Sequence, residues 1–171
     1  GELEAFHTAG GLSTMAQRYE GKIPEMEYKT LRYPGHAHIM EAIRELGLLD
    51  QAPIDVKGQP VSPREVAVAA MGPRLQSKGH DLVALRVVVR GRTQGTSITH
   101  RWELVDRFDD AKGITAMERT TGFSLSITGI LQATGAIAPA GVYTPDEAVP
   151  GARYVAELAR RGIIIRESVT G

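Results

Sequence analysis

At 171 residues the chain is long enough to bury a hydrophobic core, and with 20 Lys+Arg against 20 Asp+Glu it carries no formal net charge. That balance argues against a general nucleic-acid or anionic-membrane binder, which needs a basic excess to neutralise phosphates. No cysteine is present, which excludes disulfides, thiolate nucleophiles and cysteine-held metal sites, and no apolar run approaches the roughly 20 residues of a membrane span.

The first residues, Gly1 to Phe6, include neither an initiator Met nor the basic and apolar regions of a signal peptide. A piece of a longer, cytoplasmic protein is expected. Leu3 to Thr8 reads as a short strand, and Ser13 to Glu20 as a short helix stopped at Gly21. Met26 to Tyr33 is an extended segment ended by Pro34-Gly35. From His38 the period changes: Ile39, Ile43 and Leu46 recur at helical spacing, with Gly47 near the end. Ser62-Pro63-Arg64-Glu65 is a capping-box start, and Pro73 is expected to end or kink that helix near Gly72.

Leu82 to Arg90 and Thr96 to Asp106 carry the strongest strand patterns, joined by a Gly91 to Gly95 loop. Val83, Leu85, Val87 and Val89 line one apolar face of the first; Ile98, Trp102 and Leu104 line one face of the second. A longer helix is predicted from Thr115 to about Thr134. A stripe of small residues, Gly122, Ser126, Gly129 and Ala133, suits close approach of a backbone or flat ligand. Thr144-Pro145-Asp146-Glu147 opens another helix that continues through Tyr154 to Arg161, and Ile163 to Arg166 closes the chain as a strand. The mixture predicts a single α+β domain, with helices on one face of a mostly antiparallel sheet.

The chain contains no G-x-G-x-x-G, no P-loop, no nucleophile elbow, no H-E-x-x-H and no calcium loop. If a nucleotide takes part in the chemistry, another domain holds it. The densest concentration of chemistry is Glu27-Tyr28-Lys29-Thr30-Leu31-Arg32-Tyr33-Pro34-Gly35-His36. Arg32 is suited to a bidentate grip on a carboxylate, and Lys29 or His36 to moving a proton; a solvated edge strand is the plainer reading. His36 and His38 lack a third ligand, so no metal site is expected. His100 reads as a hydrogen-bonded core histidine, and Asp106 to Asp110 as a solvated turn. Gly10, Gly11 and Ser13 are a weak candidate for backbone N–H donation to an anion or a nicotinamide.

Read in order, these stretches resemble the second domain of saccharopine dehydrogenases and lysine 6-dehydrogenases. The resemblance rests on Glu4 to Phe6 with Thr8 to Thr14, on Tyr28 to His36 as the most specific stretch, on Arg119 to Phe123, and on Gly141 to Glu147 with Leu158 to Ile163. Ser124 stands where that family usually has proline. The resemblance implies an NAD- or NADP-carrying domain outside this chain, a homodimer formed through the sheet, and an amino-acid substrate such as lysine or saccharopine. The reaction implied is reversible hydride transfer at a C–N bond. It further implies Arg32 and Arg119 for substrate carboxylates, with Tyr28, Tyr33 and Thr120 beside them. Lys29 and His36 would handle protons, and Gly10, Gly11 and Ser13 would lie near the nicotinamide. A carboxynorspermidine-type dehydrogenase, or a non-catalytic dimerisation or small-molecule-binding module, is the alternative. Neither a nucleic-acid nor a membrane partner is expected.

Overall fold

The computed structural model describes residues 2–8, 11–76, 79–137 and 140–171. The chain divides into two compact units, Gly1–Ser77 and Lys78–Gly171, taken here in turn. In the first, strand β1 (Glu4–Phe6) is followed by a single helical turn, α1 (Met15–Arg18), and by strand β2 (Thr30–Arg32). β2 pairs antiparallel with β1, Glu4 opposite Arg32 and Phe6 opposite Thr30. Helix α2 (His36–Glu45) begins two residues before the apolar period does. The Glu4 carboxylate accepts the backbone N–H groups of Gly35 at 2.9 Å and Ala37 at 2.6 Å, so the donors left over at a helix start are met from β1. His36 and His38 therefore stand in the first helical turn.

The first unit also contains a hairpin that the alternation did not reveal, β3 (Ile54–Val56) and β4 (Gln59–Val61). Its two turn residues, Lys57 and Gly58, have φ of 58° and 82°, the left-handed pair that a two-residue hairpin requires. Helix α3 (Pro63–Leu75) starts as expected, with Ser62 Oγ accepting the Glu65 N–H at 3.4 Å. It passes Pro73 rather than ending at Gly72. Pro73 forfeits one backbone donor, but the Gln76 N–H reaches the Gly72 carbonyl and the Arg74 guanidinium donates to the Ala70 carbonyl.

In the second unit, β5 (Leu82–Thr93), β6 (Thr96–Arg107) and β7 (Ile165–Thr170) form an antiparallel sheet in the order β5-β6-β7. The expected five-residue loop shrinks to Gln94-Gly95, because Gly91 to Thr93 continue the ladder opposite Thr96 to Ile98. Helix α4 (Ala116–Ala133) packs on β5 and β6, and α6 (Gly151–Arg160) packs on α4. The capping box at Thr144 opens only one turn, α5 (Pro145–Ala148), and Pro150 separates it from α6.

Leu104, Ile127, Leu131, Leu158 and Ile163 make the core, with Val83, Phe123, Tyr154 and Ile165 packed around it. The final strand starts at Ile165 because Ile163, 1% exposed, is spent on that core. A Cβ placed on Gly122 or Gly129 would meet nothing within 4 Å, so among the described residues no neighbouring element approaches closely at these two positions of the small-residue stripe. The architecture is α+β, as the sequence pattern predicts. Among the described residues no helix is long and apolar enough to cross a membrane.

Candidate functional site

In the first unit the β1–β2 pair gathers the stretch of densest chemistry. The His7 ring lies 3.1 Å from the Tyr28 carbonyl oxygen, and the Thr8 and Thr30 hydroxyls are 2.8 Å apart. The Tyr28 ring occupies the space in which a Cβ on Gly11 would stand, 1.8 Å from its Cδ1, so only glycine fits there without moving the tyrosine. The His36 ring stacks on Phe6, their centroids 5.9 Å apart. Gly11, Tyr28, Thr30 and His36 are thus tied to one two-stranded ribbon. The capping by Ala37 and Gly35 holds the Glu4 carboxyl below its ordinary range.

The charged groups of this stretch differ in how they are engaged. Lys29 is ion-paired with Glu27 at 2.8 Å. Arg32 donates through Nη1 to the Leu31 carbonyl at 2.8 Å and, among the described residues, has no carboxylate partner. Tyr33 is 78% exposed. Ser13 adopts φ of 48°, and α1 behind it is too short to serve as an anion-binding helix terminus. Gly10 lies outside the described residues.

In the second unit Arg119, expected beside a substrate carboxylate, is held in an ion network of its own chain. Its side chain, on the first turn of α4, is 6% exposed and enclosed by groups of the same unit. Nε donates to Asp106 at 2.8 Å, Nη1 to Asp109 at 2.7 Å, and Nη2 to both Asp106 and the Arg161 carbonyl at 3.4 Å. The Phe123 ring lies 5.7 Å from its guanidinium carbon. Nε, Nη1 and Nη2 are thus all engaged within the chain, so a further carboxylate would have to displace one of these partners. The hydrogen bond to Asp106 raises the Arg119 pKa further. Arg119 here joins α4, the end of β6 and the end of α6.

Thr120 likewise spends its hydroxyl on the Ala116 and Met117 carbonyls of its own helix. Asp106 and Asp109, expected in a solvated turn, are the acidic half of this network. Asp109 also holds Lys112, and that bond is the chief reason its carboxyl lies below the usual range.

Two further anchors are carboxylates to which the sequence pattern assigns no role. Asp81 accepts the N–H groups of Ala116 at 2.6 Å and Met117 at 2.9 Å, capping α4 from the strand side. Burial pushes its carboxyl up, but those two donors outweigh the effect and leave it lowered. Glu4 does the same for α2. A lone acidic residue before a strand leaves no local trace of this role; only the fold brings each against a helix start. Among the described residues no three His, Asp or Glu side chains gather as a metal ion would need.

His100 is hydrogen-bonded as expected, to Glu167 at 3.0 Å, and stacks on Trp102 at 5.4 Å between ring centroids. It stands on the part of the sheet that α4 leaves open, so it is half-buried rather than core.

Against known protein families, residues 1–163 match the one described as the saccharopine dehydrogenase C-terminal domain. The match runs through both units, from the β1–β2 ribbon to the end of the α4–α6 pair. The chain therefore belongs to the saccharopine dehydrogenase C-terminal domain family, and is an oxidoreductase-type domain of the dehydrogenase class.

Proposed function

We propose that this chain is the substrate-binding and dimerising half of an NAD- or NADP-dependent dehydrogenase acting at the C–N bond of lysine, saccharopine or a related amino acid. The family membership supports the reaction class. One observation carries the assignment of roles: among the described residues, Arg32 is the cation of the Tyr28 to His36 stretch left without a carboxylate, whereas Lys29 and Arg119 are both engaged within the chain. An amino-acid substrate brings the carboxylate that Arg32 lacks, and a guanidinium binds it with two parallel hydrogen bonds.

Tyr28, with its ring held over Gly11, and the exposed Tyr33 would border that carboxylate. His36 is the proton-handling group we favour, since imidazole is the side-chain type that exchanges protons near neutral pH and Lys29 is occupied by Glu27. The dinucleotide is assigned to a domain outside this chain. The described residues do not fit it: the space beside Gly11 is filled by Tyr28 and α1 is a single turn.

Arg32→Gln, tested in the protein joined to its nucleotide-binding half, should raise KM for the amino acid about 100-fold, the loss of a charge-assisted pair of roughly 2–3 kcal/mol. Cofactor affinity, followed by NAD(P)H fluorescence, should not move. An unchanged kcat/KM for lysine, saccharopine and polyamine-derived substrates alike would remove Arg32 from the site. Finding no dinucleotide-binding sequence upstream in the parent reading frame would favour the non-catalytic binding module instead.

The dimer is proposed to form through the sheet. Beyond the reach of α4 the apolar side of the sheet leaves Leu85, Val87, Val89 and Val169 each at least 44% exposed, and β5 is an edge strand of 12 residues.

A further inference from the structure

The two faces of the β5-β6-β7 sheet are of opposite character, and one of them has no counterpart in the proposed dehydrogenase role. Residues paired across strands share a face, so the register sorts the side chains. On the α4 side stand Val83, Leu85, Val87, Val89, Trp102 and Leu104. The other side carries Arg86, Arg90 and Arg92 from β5, Arg101 and Arg107 from β6, and Arg166 from β7. Against these six guanidinium groups the same face holds one carboxylate, Glu103, which Arg86 takes with Nε at 2.7 Å and Nη2 at 2.6 Å.

The remaining five arginines are exposed and, among the described residues, make no ion pair. In a chain of zero net charge this is a strong local concentration of one sign.

We infer that this arginine face docks an acidic polypeptide surface, one that presents Asp and Glu side chains. Three features select that occupant. Charge is the first: isologous self-pairing through this face would set six guanidinium groups against six, so a second copy does not cover it. The second is the chemistry already present. Arg86 with Glu103 is a working instance of carboxylate capture on this face, and Arg166 is Glu103's neighbour on the other flank.

The third is what the face lacks. It has no aromatic ring; its other residues are hydroxyl-bearing or aliphatic, such as Ser97, Thr99, Ser168 and Val88, so single-stranded bases find nothing to stack on. Arginine is also the cation enriched in protein interfaces, where its planar fork meets carboxylates with two hydrogen bonds.

The test uses fluorescein-labelled poly-L-glutamate of about 20 residues as the probe, with binding to the protein read by anisotropy at about 50 mM salt. The triple variant Arg90→Ser, Arg101→Ser, Arg166→Ser should weaken binding by about tenfold or more, and rising salt should weaken the unaltered protein in parallel. A control removes the same charge from exposed positions of the first unit: Lys57→Ser, Arg64→Ser, Arg74→Ser. It should bind within about twofold of the unaltered protein.

Circular dichroism of both variants confirms folding; the substituted side chains are all exposed. Absence of poly-L-glutamate binding would overturn the inference, as would equal loss in both variants. Tighter binding of duplex DNA than of poly-L-glutamate would reassign the face to nucleic acid.

Discussion

Arg119 illustrates how much a side chain's role depends on what surrounds it. Its 6% exposure and paired carboxylates make it a buried ion network, and removing one member strands the other charges. Arg119→Met should therefore destabilise the chain by about 3–5 kcal/mol, seen as a lower urea midpoint. Replacing Asp106 by Leu in the same chain should recover part of that loss, because the buried charge left behind goes with it. A midpoint unchanged in Arg119→Met would mean that the network contributes nothing. Arg32, by contrast, holds no carboxylate among the described residues, so its loss should register in substrate binding and hardly in stability.

Among the elements, α4 and α6 are joined by a contact that a proline at position 124 would not permit. Ser124 accepts the Tyr154 hydroxyl at 2.6 Å and donates to the Thr120 carbonyl at 2.5 Å. The serine that departs from the resembled pattern is thus built into the helix pair, leaving the entry of α4 to its Thr115–Glu118 cap and to Asp81. Tyr154→Phe and Ser124→Ala should each cost about 1 kcal/mol, and the double variant less than their sum. Strict additivity in that double-mutant cycle would show that the two hydroxyls do not act on each other.

For the molecule as a whole, every fully buried apolar side chain among the described residues belongs to the second unit, and the start of α4 there is held by Asp81 and Glu118. Glu4, Asp81, Asp109, Glu118 and Glu157 all have carboxyls lowered in the folded chain. A lowered folded pKa contributes stability that is complete above the unfolded value and lost as pH falls through the folded one. Stability should therefore be level down to about pH 5 and decline below about pH 4, where ordinary carboxylates protonate.

The raised Arg119 pKa works in the opposite sense: its contribution is complete at neutral pH and would be lost only above the ordinary guanidinium range. Thermal midpoints from pH 3 to 8 check this; a midpoint flat to pH 3 would contradict it. For the proposed dimer, Val87→Lys with Val89→Lys should convert it to monomer by sedimentation, since both lie on the apolar face beyond α4. A dimer that survives this pair would have to form elsewhere.

Most of the elements, and the family, are legible in the order of the residues. Period-2 alternation over Leu82 to Asp106, a capping box at Ser62 and the run from Tyr28 to His36 are local patterns that need no partner to be read. The rest depends on contacts at longer range. The start of α2 at His36 depends on Glu4, 31 residues before Gly35. The role of Asp81 depends on its meeting Ala116, 35 residues on. The partners of Arg119 depend on β6, the turn at Asp109 and the end of α6, which close around it. The arginine face exists only once register sets three strands side by side. Local propensity acts over a few residues, whereas charge pairing and capping act through space, so the chemistry of this chain was decided by which distant residues the fold brings within 3 Å.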